Sequence, residues 1–133
     1  KNLTLALDQL SPSNSIAILE EAKKYGILKI IIAFDHIISD DNIYKTLSDL
    51  GAFIEFRFSS CMPSDHSIPI EAIIEQIKLI GYERCILTSN FGQWFNPSPA
   101  EGIRMAISAL LEEGVLAAQI TKLVKLNPSD LLK

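Results

Sequence analysis

Four glycines punctuate the chain: Gly26, Gly51, Gly81 and Gly114. Each closes a stretch with helical apolar spacing, and each stretch is preceded by a short, β-branched or leucine-rich run. The stops fall 25 to 33 residues apart, the length of one β/α unit. Glycine is favoured at such stops because it adopts the left-handed conformation without a Cβ penalty. A strand–helix alternation repeated four times implies a parallel sheet with right-handed crossovers.

The units read as follows. Strands are expected near 3–8, 28–34, 52–58 and 84–89. Ser11 caps the first helix, with Pro12 at its first position, where a missing N–H costs nothing. Ile16, Ile18, Leu19 and Ala22 form its apolar stripe. Ser39 is the expected cap of the second helix, which runs to Leu50. The third helix starts near Pro69 and turns Ile73, Ile74, Ile77 and Ile80 inward. The fourth runs to Glu113 with Ile103, Ile107, Leu110 and Leu111 inward, and a short helix over about 116–125 precedes the tail. The fold class is α/β: four consecutive parallel β/α units, half of a (β/α)8 TIM-type barrel, with an open doubly wound sheet as the alternative.

Hydrophobic residues make up 48% and charged residues 21%, a globular composition. Net charge is −4 and no basic block appears, so a nucleic-acid surface is not expected. No apolar run is long enough to span a bilayer, and no secretion leader is visible. Two cysteines, Cys61 and Cys85, do not make a disulfide framework. The expected setting is cytoplasmic. The apolar alternation begins at once with Leu3, Leu5 and Leu7, so residues upstream are expected, as part of a longer chain. Half a barrel has two open sheet edges and a bare inner face, which invite self-association or the remainder of that chain.

Both architectures place function at the carboxyl ends of the strands. That rule selects Asp8 and Gln9 after the first strand, Asp35 and His36 after the second, Ser59, Ser60 and Cys61 after the third, and Ser89, Asn90 and Gln93 after the fourth. Glu55 and Arg57 join them because charges inside a buried parallel strand are unusual. They either neutralise each other or face a site. Asp35 and His36 could bind a metal or move protons, and Asp35 also suits a turn. His66 falls in a Pro/Ser-rich loop and reads as solvent-exposed. Cys61 has no histidine fixed beside it and reads as an inert thiol. Glycine-rich phosphate loops are absent.

The fourth unit carries a resemblance. Cys85-Ile86-Leu87-Thr88-Ser89-Asn90-Phe91-Gly92-Gln93, followed by Asn96-Pro97-Ser98-Pro99, a helix, and Asn127-Pro128-Ser129-Asp130-Leu131-Leu132, resembles the last strand and tail of the amidohydrolase superfamily. Gly51–Glu55 and Cys61-Met62-Pro63 extend the likeness over nearly the whole chain, which would make it the C-terminal half of such a barrel. The resemblance implies a metal-dependent hydrolase ancestry. The family's last-strand aspartate, a metal ligand and proton acceptor, corresponds to Asn90, which cannot ionise. Its histidine ligands correspond to Gln9 and Phe34, with His36 two residues late. The resemblance thus implies an amidohydrolase-like protein with a diverged site, no cofactor expected, and a pocket for a small molecule. The alternatives are a working hydrolase with zinc or another divalent ion on Asp8, Asp35, His36 and Glu55, and an assembly domain without a site.

Overall fold

The computed structural model describes residues 3–34, 36–63 and 67–133. Asp35 and His66 therefore lie outside the described residues. In chain order the elements are β1 (Thr4–Asp8), α1 (Pro12–Lys24), β2 (Lys29–Ala33), α2 (Asp41–Asp49), β3 (Phe53–Arg57), α3 (Ile70–Ile80), β4 (Cys85–Thr88), α4 (Pro99–Glu112), α5 (Ala117–Thr121) and α6 (Asn127–Leu132). A π turn, Lys122–Leu126, joins the last two.

The sheet has the order β1-β2-β3-β4, and every neighbouring pair is parallel. A doubly wound sheet reverses direction at a switch point, and these four strands contain no reversal. Successive right-handed crossovers in one direction place all the helices on one face. The burial pattern agrees. Ile30, Ile32, Ile54, Phe56, Cys85 and Leu87 join one core cluster with Leu19, Leu47, Ile73 and Leu110 from the helices. The opposite face carries Thr4, Ala6 and Asp8, Lys29, Ile31 and Ala33, Phe53, Glu55 and Arg57, Ile86 and Thr88, aligned by the register. This is the winding of half a barrel, with helices outside and a strand face inside.

Local chemistry explains most boundaries. Ser11 Oγ accepts from Asn14 N and Pro12 opens α1. Ser98 caps α4 in the same way, accepting from Glu101 N ahead of Pro99. All four punctuating glycines have positive φ, from 75° to 102°. The second cap differs from expectation. Asp40, not Ser39, precedes α2, and its carboxylate accepts from Asn42 N at 3.0 Å. Both residues suit a cap, and a one-residue difference lies within the uncertainty of any helix start read from a sequence.

Two apolar stripes also differ. Ile18 is exposed and Ser15 is buried in α1. In α4, Leu111 is 51% exposed, and the innermost line is Gly102, Ala106 and Leu110. The reason is closeness: a Cβ on Gly102 would lie 2.5 Å from Phe91 Cδ2 and 2.8 Å from Ser89 Cβ. Small residues let α4 approach, and that rotates the larger ones to the flanks.

The tail is helical to Leu132 and packs against β4. Asn127 is buried and donates through Nδ2 to Tyr82 O at 2.7 Å and Cys85 O at 2.6 Å. Thr4 Oγ1 donates to Leu131 O at 2.6 Å. One short helix thus ties the first residue of β4 to the first residue of β1, across the amino ends of the strands. Among the described residues no helix is long and apolar enough to cross a membrane.

Candidate functional site at the carboxyl ends of the strands

The charged residues of β3 face inward, as their spacing requires. Arg57 is anchored twice. Its Nη2 lies 2.8 Å from Asp8 Oδ2, and its Nε lies 3.6 Å from Glu55 Oε1. The reach from Arg57 on β3 to Asp8 on β1 crosses β2, where Ala33, small and buried, pairs with both Asp8 and Glu55. A larger side chain there would stand between Arg57 and Asp8. Thr88, paired with Arg57 in the register, donates its hydroxyl to Glu55 Oε1 at 2.7 Å.

Burial and charge differ along this row. The Arg57 and Glu55 side chains are 12% and 18% exposed, while that of Asp8 is 49% exposed. The hydrogen bond from the Arg57 guanidinium holds the Asp8 carboxyl below the ordinary aspartate range, against a smaller opposing effect of burial. Glu55 and Arg57 thus neutralise each other in part on the inner face of the sheet, near the strand ends.

Gln9 and His36 meet in one place. Together with Leu10, Ser11, Pro12 and Phe34 they line an open cleft of about 430 Å³ beside the ends of β1 and β2. A second gap, walled by His36, Glu55, Arg57 and Ser60 among others, has only about 10 Å³, enough for a single water at most. Asn90 is not part of either wall. It is exposed, and its Nδ2 donates to Ser59 Oγ at 3.2 Å. Gln93 is spent within its own loop, where Oε1 accepts from Asn96 Nδ2 at 2.7 Å and Gly92 N at 3.3 Å.

Phe34 does not stand where a lost metal ligand would. It is buried, 5.9 Å edge-on from the Tyr44 ring of α2, on the helix side of the sheet. The inward residue of that strand is Ala33. A histidine at 34 would grow into the core cluster, so the correspondence with the family's ligand is off by one in strand parity.

The thiols are inert. Burial, helped by Glu71, pushes Cys61 up to about 11, and burial with Glu83 pushes Cys85 up to about 12. Neither is a thiolate at neutral pH.

Three features were not singled out by the sequence. Thr88 was legible in principle, since period-two alternation places it on the face of Arg57. Tyr44 accepts at Oη from Ile38 N at 3.0 Å and so fixes the loop after β2; nothing local marks that contact. Trp94 and Phe95 lie in the loop after β4, 94% and 67% exposed, with ring centroids 5.8 Å apart. Gln9 and Asn90 share a further property: among the described residues they are the non-glycine residues with positive φ, 54° and 51°. Each sits just past the end of a strand. Strained backbone of this kind often marks functional sites, and here it turns the chain sharply out of the sheet.

Compared with family models, curated proteins and solved structures, the chain matches none of them.

Proposed function

We propose that this chain is an amidohydrolase-like β/α half-barrel whose carboxyl-end rim binds a small polar molecule, and that the metal centre of that superfamily has been replaced by an internal ion network. The observation that carries this reading is the position of Arg57. A fixed cation stands on the inner wall, bonded to Asp8 and close to Glu55. Those carboxylates are two of the four ligands that an atypical metal set on Asp8, Asp35, His36 and Glu55 would need. A divalent ion on them would have to break the Asp8 contact and sit beside a guanidinium, which repels it.

The rim offers a ligand the opposite qualities. Gln9 and His36 bring hydrogen-bonding groups to an open cleft, and the charged row lies beyond them. Pockets of this kind use a few placed polar groups against an apolar wall, here supplied by Leu10, Pro12 and Phe34.

The test is metal content and ligand mapping on the purified full-length protein. Zinc and manganese should be substoichiometric after purification without chelators. Small amides and carboxylic acids should perturb backbone NMR signals near Gln9, His36 and Arg57 rather than at the amino ends of the strands. Stoichiometric metal that is lost in Asp8→Asn or Glu55→Gln would sink the reading, as would ligand perturbations confined to the opposite end.

A further inference from the structure

The loop after β4 holds its aromatic side chains in solvent rather than letting them collapse onto the fold. Among the described residues Trp94 is the most exposed large apolar side chain, at 94%, and Phe95 beside it is 67% exposed. The backbone keeps them there. Asn96 N donates to Gln93 O at 3.0 Å, which closes a four-residue turn with Trp94 and Phe95 at its tip. Gln93 Oε1 braces the turn, accepting from Gly92 N at 3.3 Å and from Asn96 Nδ2 at 2.7 Å. Pro97 follows, and Pro99 opens α4 after the Ser98 cap, so the chain leaves the turn through two residues of fixed φ. The two rings stand 87° apart with centroids 5.8 Å from each other. Two planes at a right angle make a corner, with one ring face open as a platform.

The surroundings of the pair narrow what it can bind. From Cys85 to Ile103 the chain holds one charged side chain, Glu101, and Arg104 pairs with it at 3.0 Å. A nucleic acid or an anionic lipid surface needs cations that this segment does not supply. The exposed residues flanking the pair, Asn90, Gly92, Gln93, Ser98, Pro99 and Ala100, are neither charged nor large and apolar. The rings are therefore an island, not part of the broad apolar patch that marks a protein interface. The bonds of the turn use Gln93 Oε1 and Asn96 Nδ2, and they leave Gln93 Nε2 as a donor and Asn96 Oδ1 as an acceptor. An aromatic face beside a neutral donor and a neutral acceptor suits a ring that is apolar on its face and hydroxylated at its edge.

We propose that this turn is a binding site for a neutral sugar, its ring laid on the Trp94 indole and its hydroxyls on the Gln93 and Asn96 amides. The electron-rich face of the indole attracts the partly positive C–H groups on one face of a pyranose. The two amides replace the hydrogen bonds that the hydroxyls give up in leaving water. A turn already locked in place lowers the ordering cost that a shallow site would otherwise meet on binding. The site lies on the β4 side of the rim, and it stands whether or not the cleft beside β1 and β2 takes a ligand.

Titration of the full-length protein with maltotriose, cellotriose and diacetylchitobiose tests it, followed by NMR at the Trp94 indole N–H, a signal that Trp94→Ala identifies by its loss. At least one of these sugars should move that signal saturably, at roughly millimolar concentration, and should move the side-chain amide signals of Gln93 and Asn96 with it. Trp94→Ala should weaken binding about tenfold, read from those amide signals, and Trp94→Phe, which keeps an aromatic face, should lose less. Trp94 is almost wholly in solvent, so neither substitution disturbs the core, and the Gly92 amide signal reports whether the turn is intact. Three results would each overturn the proposal: no saturable change with any of the three sugars, equal binding by Trp94→Ala, or a Trp94 signal that responds instead to dilution of the protein or to phosphatidylcholine vesicles.

Discussion

Arg57 is a cation set into the inner wall of a parallel sheet, and its partners decide what that costs. An unpaired buried charge is expensive, and two carboxylates offset the cost here. The more exposed partner gives a measurable handle. The Asp8 carboxyl is held below its ordinary value by Arg57. A depressed carboxylate stabilises the fold above the unfolded pKa, near 3.8, and that contribution is lost as pH falls through the folded value. Asp8 is half exposed, so solvent screening limits the effect to a few tenths up to about 1 kcal/mol. Urea midpoints of the wild type and Asp8→Asn should therefore differ at pH 7 and converge in the acid range. Glu83, lowered by its hydrogen bond from Lys122, titrates in the same direction, and it cancels in that comparison because both proteins carry it. A gap that persists unchanged into acid would show that the Asp8–Arg57 contact is not what Asp8 contributes.

At the scale of elements, α4 shows how one missing side chain sets a helix's position. Gly102 sits against Phe91 and Ser89, just past the end of β4. Gly102→Ala gains about 1 kcal/mol in helix propensity and loses about 1–3 kcal/mol to overpacking, because an aromatic ring and a strand-end backbone must move. A net loss of about 1 kcal/mol, read from a denaturant midpoint, is expected. Gly92→Ala meets nothing within 4 Å and serves as the control. If the two variants were equally stable, the close approach of α4 would carry no energetic weight. The same helix accounts for the misplaced stripe: Leu111 satisfies the period that a sequence displays, yet the small residues hold the contact.

At the scale of the molecule, the tail joins the two edges of the sheet. Asn127 is the hinge of that arrangement, a buried amide serving two backbone carbonyls. Asn127→Ala leaves both carbonyls without their donor and should cost about 1–3 kcal/mol. Asn127→Asp should cost more, because a carboxylate would face the two carbonyl oxygens. Thermal unfolding of both variants gives the order. Equal losses would mean that the side chain acts by filling space rather than by donating. This role gives a physical reading to the Asn-Pro segment: the asparagine is a clamp on β4.

The sequence alone determined what depends on neighbours in the chain. Glycine stops, serine–proline helix starts and strand periodicity are local, so the four units, their parallel direction and the inward placement of Glu55 and Arg57 were readable from spacing. Tertiary structure decided whatever depends on a distant partner. No local signal says that Arg57 reaches over Ala33 to Asp8, that Asn90 turns to Ser59 rather than to Gln9, or that Phe34 belongs to Tyr44 and the core. The capping of α2 by Asp40 turned on a one-residue shift between two equally suitable side chains. The joining of β1 to β4 across the amino ends of the strands arises from where the last helix lands, and that landing is set by contacts between residues more than a hundred positions apart, such as Thr4 with Leu131.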